Sequence, residues 1–315
     1  LEDSRGNIWI GVKGGLCRYL PATGTFKTYI FDPDKTRMED WVFSLYEDSK
    51  GNLWAGTWFG PAIYDRENDR FDNFFNDDRK SLIRIRDIVE DHDKNIWIAT
   101  EDNGLYKVKL TESEGGKKLE YEHITNEIDS KNSLLDNKLY CLLVDGVGKI
   151  WIGTENGLEI LDPTNMQFVH FEDNPLLQER LILGLVCTDS SIWVSHELGV
   201  TQINFKTLHS RDFRKNNDFL GVEMADGAYF KDSKGIVYFG GYKGYFTIDP
   251  KQTPKTPEIT GILLTNLAIS NKNIKVNQVY DNRILLEKPL YLSESIVLTW
   301  EERNIQIEFS AMYFS

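Results

Sequence analysis

One aromatic-centred string recurs six times in this chain, and that recurrence constrains the fold more than any composition figure. "DSRGNIWIGVKGGL" at Asp3 returns as "DSKGNLWAGTWFGPA" at Asp48, "DHDKNIWIATEDNGL" at Asp91, "DGVGKIWIGTENGL" at Asp145, "TDSSIWVSHELGV" at Thr188 and "DSKGIVYFGGYKGY" at Asp232. The anchors Trp9, Trp54, Trp97, Trp151, Trp193 and Tyr238 lie 45, 43, 54, 42 and 45 residues apart. A period in the forties means one supersecondary unit used repeatedly. The long interval contains "TESEGGKKLE", Thr111 to Glu120, which reads as an inserted polar surface loop.

Every unit has the same internal order. An alternating apolar segment such as "VFSLYED" (Val42 to Asp48) reads as a strand, and Asp-Ser-Lys-Gly then supplies a tight turn in which Gly51 takes positive φ. The anchor lies on a second strand, and the small residue two places on (Gly11, Gly56, Ala99, Gly153, Ser195, Gly240) shares its face, leaving room for a neighbouring layer. A further glycine (Gly15, Gly60, Gly104, Gly157, Gly199, Gly244) turns the chain into a third strand, and an aromatic-rich fourth closes the unit. Four strands in about 43 residues describe a β-propeller blade, with the aromatics as mortar between radially stacked sheets. The expected fold is therefore all-β: residues 1–250 form a β-propeller of six recognisable four-stranded repeats, part of a seven-bladed ring.

After Asp249-Pro250 the pattern stops. Residues 251–260, "KQTPKTPEIT", read as a linker, and 261–315 carry alternating strands consistent with the N-terminal part of an immunoglobulin-like β-sandwich. The chain opens in mid-motif and stops inside an apolar run, so it is expected to be a piece of a longer protein. Aromatics at 12% and 24 glycines against 9 prolines agree with short strands and turns. A formal charge of −13 excludes a general nucleic-acid binder, which needs a basic surface to displace counterions. Cys17, Cys141 and Cys187 form no CxxC pair and read as buried free thiols.

The string D-x-x-G-x-[I/L]-W-[I]-G-T-x-x-G-L resembles the two-component-regulator propeller repeat, and "SLLDNKLYCLLVD" (Ser133 to Asp145) is similar to the start of that repeat. The tail with "NIQIEFSAMYF" resembles the immunoglobulin-like domain, named for its tyrosines, that follows such propellers. Lys94 in place of the turn glycine, Ser195-His196 in place of Gly-Thr, and Tyr238 in place of tryptophan depart from the pattern. The resemblance implies the periplasmic sensor region of a hybrid two-component system of the kind common in gut Bacteroidetes, part of an inner-membrane protein that senses oligosaccharides released from complex glycans. It further implies an upstream propeller and a downstream membrane-anchored histidine kinase with receiver and DNA-binding modules, and leaves room for a homodimer formed through the sandwich. On that reading this chain carries no enzyme activity, cofactor or metal; a propeller polysaccharide lyase or glycosidase, and a protein-interaction scaffold, are the alternatives.

No nucleophile elbow, phosphate-cradling glycine loop or HExxH stands out, and His92, His123, His170, His196 and His209 show no metal-ligand spacing. Glu101-Asp102 and Glu301-Glu302 read as solvated turns. A ligand is expected at the channel mouth, where the loop between strands two and three and the connection from strand four to the next inner strand emerge together. Those segments include "TRMEDW" (Thr36 to Trp41), "TWFG" (Thr57 to Gly60), "DRKSLIRIRD" (Asp78 to Asp87), "LDNK" (Leu135 to Lys138), "QER" (Gln178 to Arg180), "SHELG" (Ser195 to Gly199) and "GYKG" (Gly241 to Gly244). They nominate Trp41, Trp58, Phe59, Arg84, Arg86, Lys138, Arg180, His196 and Tyr242 as ligand-binding residues. Trp58 with Trp41 forms the expected sugar platform, and Arg84 with Arg86 an expected clamp for sulfate or uronate unless neighbouring acids such as Asp87 or Glu39 occupy them.

Overall fold

In the computed structural model, residues 1–31, 41–74, 83–113, 116–171, 174, 177–213, 223–252, 261–293 and 295–312 are described. Parts of "TRMEDW" and "DRKSLIRIRD", and residues 253–260 of the expected linker, lie outside them. The chain divides into two units, Leu1–Lys251 and Gln252–Ser315.

Among the described residues, the first unit contains six antiparallel sheets in chain order, each a meander of consecutive strands. The first holds β1 (Ile8–Val12), β2 (Gly15–Leu20) and β3 (Thr25–Tyr29); the second holds β4 (Val42–Glu47), β5 (Leu53–Thr57), β6 (Gly60–Asp65) and β7 (Arg70–Asn73). The third runs β8 (Ile85–Glu90), β9 (Ile96–Thr100), β10 (Leu105–Ser113) and β11 (Gly116–Ile124), and the fourth β12 (Leu139–Val144), β13 (Ile150–Thr154), β14 (Gly157–Asp162) and β15 (Gln167–His170). The fifth comprises β16 (Ile182–Cys187), β17 (Ser191–His196), β18 (Gly199–Asn204) and β19 (Ser210–Asp212), and the sixth β20 (Met224–Lys231), β21 (Val237–Gly241) and β22 (Gly244–Ile248). The expected loop at Thr111 to Glu120 is instead mostly paired strand: β10 and β11 lengthen into a hairpin whose Leu119 is buried. Alternation in "KVKLTES" and "KKLEYEHI" sustains the ladder.

Each anchor tryptophan packs between its own sheet and the next. Trp54 sits among Ile85, Ile88, Ile98 and Tyr106, Trp97 among Leu139, Leu142, Ile150 and Leu161, and Trp151 among Ile182, Leu185, Ile192 and Ile203. Trp9 and Trp193 repeat the arrangement at either end, and all five tryptophans are at most 2% exposed. Tyr238, in the sixth sheet, is only half-buried. The small residue beside the anchor is required by close approach: a Cβ on Gly56 would stand 2.7 Å from Ile85 Cγ2, and one on Gly153 2.7 Å from Ile182 Cγ2. The next sheet's inner strand fills that space.

The aspartate that opens each motif does more than turn the chain. Asp48 Oδ1 accepts the Lys50 and Asn52 amides at 3.0 and 2.8 Å, while Oδ2 accepts the indole N–H of Trp54 at 2.9 Å. Asp3 holds Trp9 at 2.9 Å, Asp91 holds Trp97 at 2.7 Å, Asp145 holds Trp151 at 2.9 Å, and Asp232 accepts the Tyr238 hydroxyl at 3.1 Å. Burial pushes the Asp3 carboxyl up, but hydrogen bonds from Trp9, Asn7 and the Asn7 and Arg5 amides outweigh it and hold the group at about 2. The fifth repeat is one residue shorter here and begins with Thr188, leaving Trp193 Nε1 buried with no acceptor among the described residues. Lys94, standing where other repeats carry glycine, takes φ +68°.

The inner strands β4, β8, β12, β16 and β20 face a common axis. There Asp87 of β8 accepts the Leu142 amide of β12 at 2.8 Å and the hydroxyl of Tyr229, three sheets away on β20, at 3.0 Å. Burial pushes Asp87 up to about 6 against these donors. Leu45, Tyr46, Asp87, Glu90, His92 and Tyr229 are among the residues lining a cavity of about 470 Å³ there.

The second unit pairs β23 (Gly261–Ile269) with β24 (Lys272–Asn273) and β27 (Ile305–Met312), and carries a short hairpin of β25 (Val279–Tyr280) and β26 (Arg283–Ile284). Leu267, Ile269, Ile274, Leu286 and Leu290 form its core. The facing sheet of a complete sandwich is not among the described residues. Glu302 is buried rather than a solvated turn: its carboxylate pairs with Arg283 and accepts the Thr299 amide at 2.6 Å.

Of the three free cysteines, Cys141 is fully buried, whereas Cys17 and Cys187 are half-buried, so the expectation of buried thiols is met by one of them.

Candidate functional site at the propeller rim

Register places one pair of residues at the same point in successive blades. The carbonyl of the residue before each inner strand accepts the amide of the residue that follows strand two: Trp41 from Trp58 (3.1 Å), Arg84 from Glu101 (3.0 Å), Lys138 from Glu155 (3.1 Å) and Glu223 from Tyr242 (3.1 Å). Lys13 takes the second position in the first sheet, bridging to Trp41, and Glu197 takes it in the fifth. The backbone is repeated while the side chains are not, so the rim is a set of equivalent places carrying different chemistry.

Blade two contributes the aromatics. Trp41, Phe43 and Trp58 form a half-buried triad with ring centroids 5.7 to 5.9 Å apart. The Arg84 guanidinium lies 4.4 Å from the Trp58 ring centroid, and Lys13 Nζ lies 5.1 Å from that of Trp41. Arg86 lies 5.0 Å over Phe43 and 5.1 Å over Tyr140, so guanidinium and aromatic planes run from blade two to blade four. Trp41 Nε1 and Arg84 Nε are buried atoms with no acceptor among the described residues.

The two arginines do not use Asp87, which is committed to the axis; Glu39 lies outside the described residues. Their acceptor is Glu101, 2.8 Å from Arg84 and 3.4 Å from Arg86, and Arg86 also pairs with Asp226 of β20. Glu101 is therefore a shared counter-ion rather than a solvated turn. Lys138 pairs with Glu155 at 2.7 Å and Arg180 with Glu197 at 3.1 Å. Tyr242 stands out in solvent at 75% exposure.

Two nominated residues turn inward. Phe59 is 8% exposed, its amide donating to Thr57 Oγ1 at 3.0 Å. His196 is fully buried and takes over the work of the threonine it replaces. Thr154 Oγ1 accepts the Asn156 amide at 3.1 Å, and in the same way His196 Nδ1 accepts the Leu198 amide at 3.2 Å while Nε2 meets Thr201 Oγ1 at 3.1 Å. The His196 side chain stabilises the turn between strands two and three, as the Thr57 hydroxyl does beside Phe59, and both nominated side chains are withdrawn from the rim surface. Sequence reasoning read Glu101 only as a solvated turn and passed over Glu155 and Glu197, although all three occupy the motif position of Trp58, and over Phe43 and Tyr140 on the inner strands.

Three segments of the chain, residues 37–59, 81–102 and 133–156, match the two component regulator propeller family. The extracellular domain of a putative hybrid two component system from B. thetaiotaomicron superposes with a TM-score of 0.60 at 24% identity, over 98% of this chain and 40% of that one. PorZ, a bacterial surface component of the type-IX secretion system of Porphyromonas gingivalis, superposes at 0.61 with 14% identity over 77% of this chain and 37% of that one. A histidine kinase P4 of Formosa agariphila is 23% identical over 310 aligned residues, 81% of this chain and 22% of the kinase. The chain thus spans less than half the length of each of these proteins. With its repeating sheets and inter-sheet tryptophans, the Leu1–Lys251 unit has a β-propeller fold, and three of its successive sheets carry segments that match the two component regulator propeller model.

Proposed function

We propose that this chain is the extracytoplasmic sensor region of a hybrid two-component signalling protein, lying in the periplasm, and that its propeller binds an oligosaccharide at the rim. The observation that carries the reading is the divergence of the rim pairs. Where blades three and four set a cation against a carboxylate, blade two sets Trp41 against Trp58 and adds Phe43. Flat aromatic surface beside paired, hydrogen-bonding ions is what a sugar ring, apolar on its faces and polar at its edge, requires. The matched repeats, the extracellular domain of similar fold and the histidine kinase relative support the signalling context.

On this reading the chain itself performs no covalent chemistry. A histidine kinase elsewhere in the protein reads the ligand through its different affinity for two arrangements of the sensor, since a ligand that binds both equally shifts nothing. The site consists of Trp41, Trp58, Arg84, Arg86, Lys138, Arg180 and Tyr242. Calorimetric titration of the 315-residue chain against an oligosaccharide library tests it. Saturable binding abolished by Trp58→Ala supports the reading, and binding that Trp58→Ala leaves unchanged removes it.

A further inference from the structure

From blade three to blade five the cations of the rim are each set against a carboxylate. Among the described residues, Arg84 and Arg86 are matched by Glu101 and Asp226, Lys138 by Glu155 and Arg180 by Glu197. Asp136 adds a carboxylate, which accepts the Lys138 amide at 2.8 Å and Asn156 Nδ2 at 2.5 Å. A sulfate or uronate approaching Arg84 would have to expel Glu101 from both guanidinium groups, or remain within a few ångströms of it and of Asp226. Like charges in a partly desolvated site disfavour that outcome, and the guanidinium hydrogen bonds it would gain are already made.

A neutral sugar meets no such penalty. Its hydroxyls donate to the unused lone pairs of the partly exposed carboxylates of Glu101, Glu155 and Glu197. Its C–H face lies against the surface made by Trp41, Trp58 and the Arg84 guanidinium. We infer that the rim selects neutral oligosaccharides and discriminates against uronic and sulfated ones, an inference that rests on the rim's being a glycan site. Glu101 is the discriminating residue, because it neutralises two arginines at once.

The test uses the 315-residue chain and two calorimetric panels: neutral xylo-, arabino-, manno- and galacto-oligosaccharides, and oligogalacturonates with sulfated chondroitin oligosaccharides. The expected result is a neutral binder whose Kd changes less than about twofold between roughly 0.05 and 0.5 M NaCl, as pairs neutralised within the protein require. Acidic oligosaccharides of equal length should bind at least about tenfold more weakly. In Glu101→Gln that gap should narrow, because Arg84 and Arg86 are freed for an anion; Glu101→Asp should restore it. An acidic oligosaccharide preferred by the wild-type chain, with affinity falling steeply in salt, overturns the inference and leaves the rim as a glycan site. Failure of both panels to bind overturns the inference together with the site.

Discussion

At one end of blades two, three and four, Asp48, Asp91 and Asp145 hold Trp54, Trp97 and Trp151 by the same indole hydrogen bond. At the other end, the equivalent positions carry Trp58, Glu101 and Glu155, each with a different partner. The first end solves one packing problem over and over: a buried indole needs an acceptor, and an Asx turn supplies it without adding an element. The second end is free of that demand because strand register already satisfies its backbone. Repeat proteins separate stability from recognition in this way, and the strongest motif in the sequence therefore reports the fold, while the proposed site is drawn from positions where repeats cease to agree.

Removing mortar should give the largest effect. Trp151→Ala is expected to cost about 3–5 kcal/mol, since the indole fills the space between the fourth and fifth sheets, and thermal unfolding would show it. A sharper variant compares Trp151→Phe with Trp193→Phe. The first deprives the buried Asp145 Oδ2 of its indole donor, whereas the second removes an N–H that has no acceptor among the described residues, so the first should cost about 1–3 kcal/mol more in denaturant melts. Equal losses would mean that the aspartate clamp contributes nothing beyond its turn.

The axis and the clamp should respond to pH with opposite signs. The Asp87 pKa is raised in the folded state, so its contribution to stability is complete below about pH 4 and is lost as pH rises through about 6. Asp87→Asn should flatten that limb, leaving the variant more stable than wild type at pH 8 by about 1–2 kcal/mol. Asp3 is depressed to about 2, so its contribution is present above about pH 4 and fades as pH falls toward 2. Melting temperatures of Asp87→Asn and Asp3→Asn across that range separate the two. The smallest change expected is a gain: Lys94→Gly relieves a positive-φ lysine and should add about 0.5–1 kcal/mol in denaturant melts.

The sequence made the repeats legible because burial between sheets forces the same residue type at the same spacing. The tryptophans, and the small residue two places on, follow from that alone. The aspartate clamp was visible as a fixed six-residue interval from Asp48 to Trp54 but was read only as a turn, because a hydrogen bond from a side chain back across the turn leaves no hydrophobic pattern. The pairing of Arg84 and Arg86 with Glu101 was hidden for a different reason. It joins residues 17 and 15 apart in the chain, brought together by the register of β8 on β9, and nothing local distinguishes Glu101 from any other acid in a turn. Phe59 and His196 were misplaced because residue type alone cannot say which way a loop side chain faces. In both, a hydrogen-bonded turn settles the direction.

The separation of mortar from recognition is tested most directly by titrating Trp58→Ala and wild type with one oligosaccharide that binds the wild-type chain, following the melting temperature of each free protein. The account predicts affinity at least about tenfold weaker in the variant, with melting within about 3 °C of wild type. An unaltered affinity accompanied by a collapse in melting temperature would show that Trp58 is one more piece of the interior, and that the rim has been wrongly assigned.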